Sequence, residues 1–579
     1  MIRQLLAAGF LVATSITAFG QNGISSDFTE IKDWRQVDPA AWSGIRPGTH
    51  VQFGSADLRY DKLFAPEASS LSSSWSGHAW KNEKIHTQFV IYTTQAQPGV
   101  TISSSALSDG KGNTIPATAV STGFLRYVMT DELNSEGGGC GHRNPADFDS
   151  SLVADAIDFK SSMNIAANTT QPVWLSIKVP AQAAAGTYKG TVTVKNNKGV
   201  SLKTLAYNVT VNSRTLPDAK DWSYHLDLWQ SPYAVSRYYN VKPFSKEHFD
   251  AMRPYMTQLA GIGQKVITAS IIYDPWNSQT EDIYGDMVKW TRKRDGSWTY
   301  DYTEFDKWVE FMMDCGVTKQ IACYSMIPWN LKFYYYDEAT GKMTHIVAKP
   351  GSAEYDAHWR PMLADFAKHL KQKGWFDITC IAMDERPMEA MQAAIKLIRS
   401  VDKDFKVSLA GNYHKELVND IYDYCVAIGQ DFTAEERAMR FSKGWPTTYY
   451  TCCTEGFPNT FTFSPPAESA WLGWYAAAKD YKGYLRWAYN CWVKDPLRDS
   501  RFRTWAAGDT YLVYPGPRTS IRLERLTEGI QTYEKIQILK KEGKGPQLEK
   551  VLKTFEWNRL KQKSAADMVN TAAAVLNSL

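Results

Sequence analysis

The chain has 579 residues, too many for one hydrophobic core, so two or three domains are expected. Its 65 basic and 61 acidic residues nearly cancel, leaving a net charge of +4. No basic stripe or like-charge run stands out, which argues against nucleic acid and anionic membranes as partners.

Taken in chain order, residues 1–20 have the form of a secretory signal. Arg3 supplies a positive start, Leu5 to Ile16 an apolar run, and Ala18-Phe19-Gly20 small residues before a cut ahead of Gln21. No Cys follows the apolar run, so a lipid-anchored form is not indicated, and export to a periplasm is the simplest expectation. No later run reaches the ~20 apolar residues of a membrane span.

Residues 21–215 alternate apolar and polar positions between Gly/Asn turns, the pattern of a β-sandwich. Examples are His86 to Thr93, Val173 to Val179, and a hairpin in which Tyr188 to Lys195 turns through Asn196-Asn197-Lys198-Gly199 into Val200 to Val211. Asn212 to Asp218 has the composition of a linker. Residues 216–540 then change texture to strand, helix, strand, helix. Eight strand-like runs follow: Tyr224–Trp229, Val266–Tyr273, Gln320–Ile327, Ile378–Met383, Lys406–Ala410, Tyr424–Ile428, Thr447–Cys452 and Tyr484–Tyr489. Helical patterns separate several of them: Tyr302–Cys315, Tyr355–Lys373, Met388–Val401 and Ala467–Asp480. Eight parallel strands with crossover helices predict a (β/α)8 barrel. Ser520–Glu542 and Gly545–Leu579 read as long helices, the last of them a C-terminal extension over 541–579. Their Lys and Glu residues are expected on solvated faces.

Eight cysteines in so long a chain do not make a disulfide scaffold. Cys323, Cys380, Cys425, Cys452, Cys453 and Cys491 lie in or beside strand-like runs and are expected to act as small buried hydrophobes. With no Cys-x-x-Cys or His-x-x-x-His pair, no metal or other cofactor is expected.

The chemistry concentrates at the end of the fourth barrel run, where Ile378-Thr379-Cys380-Ile381-Ala382-Met383 gives way to Asp384-Glu385. Barrel enzymes keep their chemistry at strand C-termini. Two other Asp-Glu pairs occur: Asp131-Glu132 runs into a Gly-rich loop and Asp337-Glu338 opens a hairpin tip. Neither is expected to cap a buried strand.

Conventional glycosidases place two carboxylates across the bond, ~5 or ~6.5–9.5 Å apart, and adjacent residues are an awkward source for that. They suit a scheme in which a 2-acetamido sugar attacks its own anomeric carbon. Asp384 would hold the acetamido N–H and stabilise the oxazolinium-like intermediate. Glu385 would protonate the leaving oxygen and then deprotonate water. The negative charge of Asp384 would help keep Glu385 protonated. The 21 tryptophans fit such a substrate as well as they fit core packing, because indole stacks on sugar C–H faces.

Further residues each carry two readings. Trp487 and Tyr489 end the eighth run, and one could wall an acetamido pocket, with core packing the alternative. Asp509 could accept bonds from sugar hydroxyls or simply cap the turn at Gly508. Asn412 and His414 could bond hydroxyls or the Asp384 carboxylate, or brace their loop. Tyr449 could donate to the acetamido oxygen, or be a buried Tyr with a backbone partner. Glu455 and Trp329 lie beyond other strand ends.

Several segments taken together resemble glycoside hydrolase family 123. They are Met383-Asp384-Glu385-Arg386-Pro387, Gly483-Tyr484-Leu485-Arg486-Trp487-Ala488-Tyr489-Asn490-Cys491-Trp492, Ala507-Gly508-Asp509-Thr510-Tyr511-Leu512-Val513-Tyr514-Pro515-Gly516 and Glu528-Gly529-Ile530-Gln531-Thr532-Tyr533-Glu534, with Ala185-Gly186-Thr187-Tyr188-Lys189-Gly190 in the sandwich. The resemblance covers nearly the whole chain beyond the signal. It implies an exo-acting, retaining β-N-acetylgalactosaminidase, with Asp384 and Glu385 as the catalytic pair and terminal β-linked N-acetylgalactosamine as substrate, including that of glycosphingolipid glycans. One departure is Gln531-Thr532, where the family pattern leads one to expect an acidic pair. Two other readings stay open: hydrolysis of another 2-acetamido sugar such as N-acetylglucosamine, and a non-catalytic glycan-binding protein on a decayed barrel.

Overall fold

The computed structural model describes residues 27–131, 140–141 and 150–579. The signal reading falls outside the described residues.

A one-turn helix, α1 (Pro39–Trp42), precedes the sandwich. The sandwich strands are β1 (Thr49–Gly54), β2 (Ser74–Lys81), β3 (Lys84–Thr93), β4 (Gln97–Ser104), β5 (Leu107–Ser108), β6 (Thr114–Ile115), β7 (Val120–Thr130), β8 (Ser151–Asp158), β9 (Ser162–Ile165), β10 (Thr169–Lys178), β11 (Gly186–Lys195) and β12 (Ser201–Thr215). One sheet runs β1-β3-β10-β7-β8 and the other β2-β12-β11-β4-β9. Their inward residues, among them Phe53, Phe89, Val173, Val192 and Val209, form one apolar core. The predicted hairpin is β11–β12. The expected linker is partly wrong: Asn212 to Thr215 continue β12, and the chain leaves the strand only at Leu216. Asp131 is buried immediately after β7, so that Asp-Glu pair does follow a buried strand.

The second domain is built on a parallel sheet of eight strands: β13 (His225–Leu228), β14 (Val266–Ser270), β17 (Gln320–Tyr324), β20 (Thr379–Met383), β21 (Lys406–Gly411), β22 (Asp423–Ala427), β23 (Thr447–Tyr450) and β24 (Gly483–Arg486). A parallel bridge from Leu226 to Gln264 brings β13 beside the start of β14, so the barrel is nearly closed. Each predicted run overlaps one of these strands, five of them containing it whole; β21 runs on to Gly411, β22 begins at Asp423 and β24 begins at Gly483. The crossovers carry α2 (Pro232–Tyr239), α3 (Lys246–Ala260), α4 (Thr303–Asp314), α5 (Ala353–Lys373), α6 (Met388–Val401), α7 (Ala434–Ser442) and α8 (Pro466–Ala478). The β21–β22 crossover has only a short 3₁₀ turn, Lys415–Leu417. Two crossovers carry strands of their own, β15 (Lys289–Arg292), β16 (Trp298–Asp301), β18 (Lys332–Asp337) and β19 (Lys342–Val347), which form a separate sheet in the order β16-β15-β18-β19.

Local signals explain the helix ends. Ser352 caps α5 by accepting from the Tyr355 N–H, and Gly374, at φ 71°, takes the left-handed position that ends it. Pro387 sits just ahead of α6, whose buried face is Met391, Ala394, Ile395, Leu397 and Ile398.

After β24 a long connection leads to β25 (Thr519–Ser520) and α9 (Ile521–Lys541), and the chain ends with α10 (Gly545–Leu552) and α11 (Ala565–Asn577). The single helix expected over Gly545–Leu579 is therefore two, separated by the 3₁₀ turn Trp557–Lys561. Helices α8 and α9 approach so closely that a Cβ on Gly473 would lie 2.0 Å from the Gly529 carbonyl oxygen. β25 pairs antiparallel with β8, so the barrel's last connection completes a sandwich sheet.

This junction corrects the expectation of solvated charges on α9. Glu524, Arg525, Glu534 and Lys535 are all buried. Lys535 pairs with Glu83 at 2.8 Å, Glu524 with Lys84 at 2.6 Å and Glu528 with His86 at 2.6 Å. Gln531, at the departure from the family pattern, accepts from the Lys84 N–H at 2.9 Å and donates to the Lys84 carbonyl at 2.8 Å. Deeper in, Asp155 accepts from Arg522 at 2.9 Å, Arg59 at 3.0 Å and the Tyr514 hydroxyl at 2.6 Å.

Candidate active site

Residues of β20 alternate between two environments. Met383 packs outward into the main core, whereas Ala382 faces the barrel axis. Asp384 continues the inward phase just past the strand end. It is only 8% exposed. Its Oδ2 accepts from the Trp329 indole N–H at 3.1 Å, and its Oδ1 lies 2.8 Å from Nη2 of Arg386. The Arg386 guanidinium is clamped in turn. It stacks on the Trp329 ring at 3.9 Å and donates to the carbonyls of Ile327 and Glu385 at 2.7 Å each. Burial pushes the Asp384 carboxyl up to about 6, against the opposing pull of Arg386 and of the Trp329 hydrogen bond.

Glu385 lies one residue further out and is exposed. Its carboxylate accepts a hydrogen bond from the Tyr450 hydroxyl at the end of β23. Burial and the Glu385 charge raise the Tyr450 phenol well above its ordinary range, so it stays protonated and able to donate. Two adjacent carboxylates thus occupy unlike places, one sunk into the barrel mouth and one at its solvent edge.

The mouth itself is apolar. Ala382, Ala410 and Cys425 keep its floor shallow, and aromatic rings wall it. Trp229 packs on Trp276 at 5.3 Å and on Tyr324 at 4.6 Å. The buried indole N–H of Trp276 has no protein acceptor. Trp487 is half-buried just past β24, the strand beside β13, its indole N–H donating to Asp509 at 3.1 Å.

Of the residues expected at the site, the structure brings Asp384, Glu385, Trp329 and Trp487 to the mouth. The others are engaged by protein partners of their own. Tyr489 is fully buried, with its hydroxyl on the Tyr255 carbonyl at 3.0 Å, and belongs to the outer core. Tyr449 points outward to α8 and donates to the Leu472 carbonyl at 2.7 Å. Its neighbour Tyr450 is the one that faces the site. Asp509 is fully buried, and both its oxygens are engaged, one by Arg486 at 2.5 Å and one by Trp487. It therefore fixes Trp487 rather than receiving a hydroxyl. Asn412 and His414 brace their loop through Gln430 and the Tyr424 hydroxyl. Glu455 caps a turn, accepting from the Cys452 N–H at 2.8 Å and the Thr454 hydroxyl at 2.6 Å.

Sequence reasoning missed Arg386, Tyr450 and the Trp229–Trp276 pair as site residues. Arg386 adjoins the Asp-Glu pair, but nothing in the sequence shows that it folds back onto Asp384. Cys453 is a further correction. It is bonded to Cys140, 313 residues away, and ties a sandwich loop to the segment following β23.

Carboxylates at a strand end of a parallel barrel, beneath aromatic walls, stand where barrel enzymes carry their chemistry. Comparison makes the class specific. Residues 229–539 match the family described as "Glycoside hydrolase 123, catalytic domain", and residues 53–196 match "Glycoside hydrolase 123 N-terminal domain". The chain belongs to glycoside hydrolase family 123.

A family 123 glycoside hydrolase from Clostridium perfringens, solved in a study of glycolipid glycan hydrolysis, superposes with a TM-score of 0.82 at 27% identity, covering 92% of this chain and 97% of that one. A β-glucuronidase from Parabacteroides merdae aligns over 83% of this chain and 53% of its own, but at 9% identity and a TM-score of 0.28 it carries no argument. No curated protein matches the chain. Among the described residues no helix is long and apolar enough to cross a membrane.

Proposed function

We propose that the enzyme is an exo-acting β-N-acetylgalactosaminidase that retains configuration through participation of the substrate's own 2-acetamido group. The observation that carries this reading is the unlike placement of Asp384 and Glu385. A buried carboxylate held by Arg386 and Trp329 is suited to orienting a neutral N–H and bearing the positive charge that develops beside it. An exposed carboxylate held by Tyr450 is suited to exchanging protons with a leaving group and with water.

In the first step the acetamido carbonyl oxygen bonds to the anomeric carbon. The glycosidic C–O bond breaks, and the Glu385 proton passes to the departing oxygen. Asp384 accepts the acetamido N–H and stabilises the oxazolinium ring. In the second step Glu385 takes a proton from water, which attacks the anomeric carbon and reopens the ring. Two inversions give net retention. The small floor residues and the Trp229–Trp276–Tyr324 wall suit the acetamido methyl.

N-acetylgalactosamine as the terminal sugar, on glycans such as those of glycosphingolipids, is the family's expectation. The relative from Clostridium perfringens, described for glycolipid glycan hydrolysis, is in keeping with it. The leader pattern at Arg3 and Leu5 to Ile16 supports export to the periplasm, and the mature protein isolated from its host should then begin at Gln21.

The test is hydrolysis of aryl β-N-acetylgalactosaminide by wild type, Asp384→Asn and Glu385→Gln, with the N-acetylglucosaminide alongside. Turnover selective for the galacto sugar and lost in both variants is expected. Equal turnover of both sugars would widen the specificity to 2-acetamido sugars generally. Full activity in either variant would remove that residue's role. Binding without turnover by wild type would favour a glycan-binding protein.

A further inference from the structure

Resting on that reading, we propose that the outward face of the β16-β15-β18-β19 sheet is a platform for the sugars beyond the scissile bond. This sheet is inserted in the connections that follow β14 and β17, at the catalytic end of the barrel. Its inward face, with Phe333, Tyr335 and Trp290, packs on α5. The other face is uncovered. The β18–β19 register pairs Tyr334 with His345 and Tyr336 with Met343, so these four side chains share that face. Tyr336 is 40% exposed and Met343 61%.

The face is continuous with the catalytic mouth. Trp329 donates to Asp384 with one edge and carries Arg386 on its ring, yet remains 47% exposed. The next residue, Asn330, bonds Asn277 at 3.3 Å across the connection that follows β14. In that same connection Tyr273 packs edge-on against Tyr334 at 5.2 Å, and Tyr334 lies 5.1 Å from the His345 ring. A run of rings interleaved with amide and imidazole groups therefore leads from the buried carboxylate out along the sheet.

The chemistry of this face selects its occupant. Rings offer faces to pyranose C–H groups, while Asn277, Asn330 and His345 offer partners to hydroxyls. Val347, opposite Lys332 on the same face and 64% exposed, adds apolar surface, but His345 and Lys332 break up the unbroken patch that a protein partner would favour. The occupant is the glycan chain that carries the terminal sugar.

The experiment compares wild type, Tyr334→Ala and Tyr336→Ala on three substrates. These are an aryl β-N-acetylgalactosaminide, a free tetrasaccharide ending in the same sugar, and that tetrasaccharide on a lipid in phosphatidylcholine vesicles. Aryl turnover by wild type reports on the proposed chemistry alone; the ratio between substrates reports on the platform. The expected result is aryl turnover within about twofold of wild type, with kcat/KM on both tetrasaccharide forms reduced about fivefold to tenfold, mainly through KM. No loss, or an equal loss on all three, would overturn the platform. A loss confined to vesicles would make the face a bilayer contact and overturn it as well. Were wild type inactive on every substrate, calorimetric binding of the free tetrasaccharide would decide: unchanged affinity in Tyr334→Ala refutes the platform, and weakened affinity supports it.

Discussion

Two regions of the molecule bury carboxylates, and they treat them in opposite ways. At the junction of sandwich and barrel, burial alone would raise Asp155, but Arg522 and Arg59 beside it outweigh that and hold it below the ordinary range. Glu528, half-buried, follows the same rule: Arg525 and His86 overcome its desolvation and hold it down at about 2. At the barrel mouth, Arg386 and Trp329 do not overcome burial, and Asp384 is left at about 6. Saturating a buried charge with partners makes a joint. Leaving it partly unpaired keeps free energy available for a ligand that brings the missing partner. A raised carboxyl is not by itself a site, however. Asp227, inside the barrel, is pushed up to about 7 by burial and then by Asp423, and its hydrogen-bond partner at 3.3 Å is the Trp229 indole. What separates Asp384 is its place at the mouth beside an exposed Glu385.

The largest effect should come from breaking the joint. Asp155→Ala leaves Arg522 and Arg59 without their shared anion in a buried setting, and should cost about 3–5 kcal/mol of stability. A fall in the denaturant midpoint and in thermal half-life would show it, while kcat/KM below the transition stays near wild type. If the variant were as stable as wild type, the junction would not be held by this cluster.

At the site, Asp384→Asn should lower kcat by about 10²–10³-fold with little change in stability, the size of a removed electrostatic stabiliser. Tyr450→Phe removes only the donor to Glu385, so a smaller loss of about tenfold in kcat is expected. Its readout is a loss in kcat that is larger on glycosides with poor leaving groups than on activated aryl ones, a dependence that a merely packing role for the ring would not produce.

The acid limb sharpens the comparison further. Asp384 acts ionised, and its carboxyl stands at about 6, above the ordinary aspartate value, so kcat/KM should be full above that pH and fall as pH drops through it. The residual activity of Asp384→Asn should lack this limb. A limb near 4 in wild type would mean that burial does not govern Asp384.

The fold was legible wherever a segment's own pattern decided its structure. Met388–Val401 was expected as a helix and is one over the same residues, because Pro387 marks its start and its apolar spacing is helical. Asp384-Glu385 stood out because an apolar run stops at two charges. The phase of β23 was hidden, because all four of its residues are buried and no polar–apolar contrast says which tyrosine faces the axis. Tyr449 was therefore read both as a site donor and as a buried Tyr with a backbone partner, the second of which it is, while Tyr450 drew no reading. The charges of α9 were placed in solvent because their partners, Glu83, Lys84 and His86, lie more than four hundred residues earlier. The pairing of Cys453 with Cys140 was out of reach for the same reason.

The most direct test of the account is a series of aryl β-galactosaminides whose 2-acetamido group carries none, one, two or three fluorines. Fluorine withdraws electron density from the carbonyl oxygen that is proposed to attack. If the substrate supplies the nucleophile, kcat/KM should fall steeply and monotonically along the series. A flat series would contradict the account, because the nucleophile would then belong to the protein or to water, and the unlike placement of Asp384 and Glu385 would need another explanation.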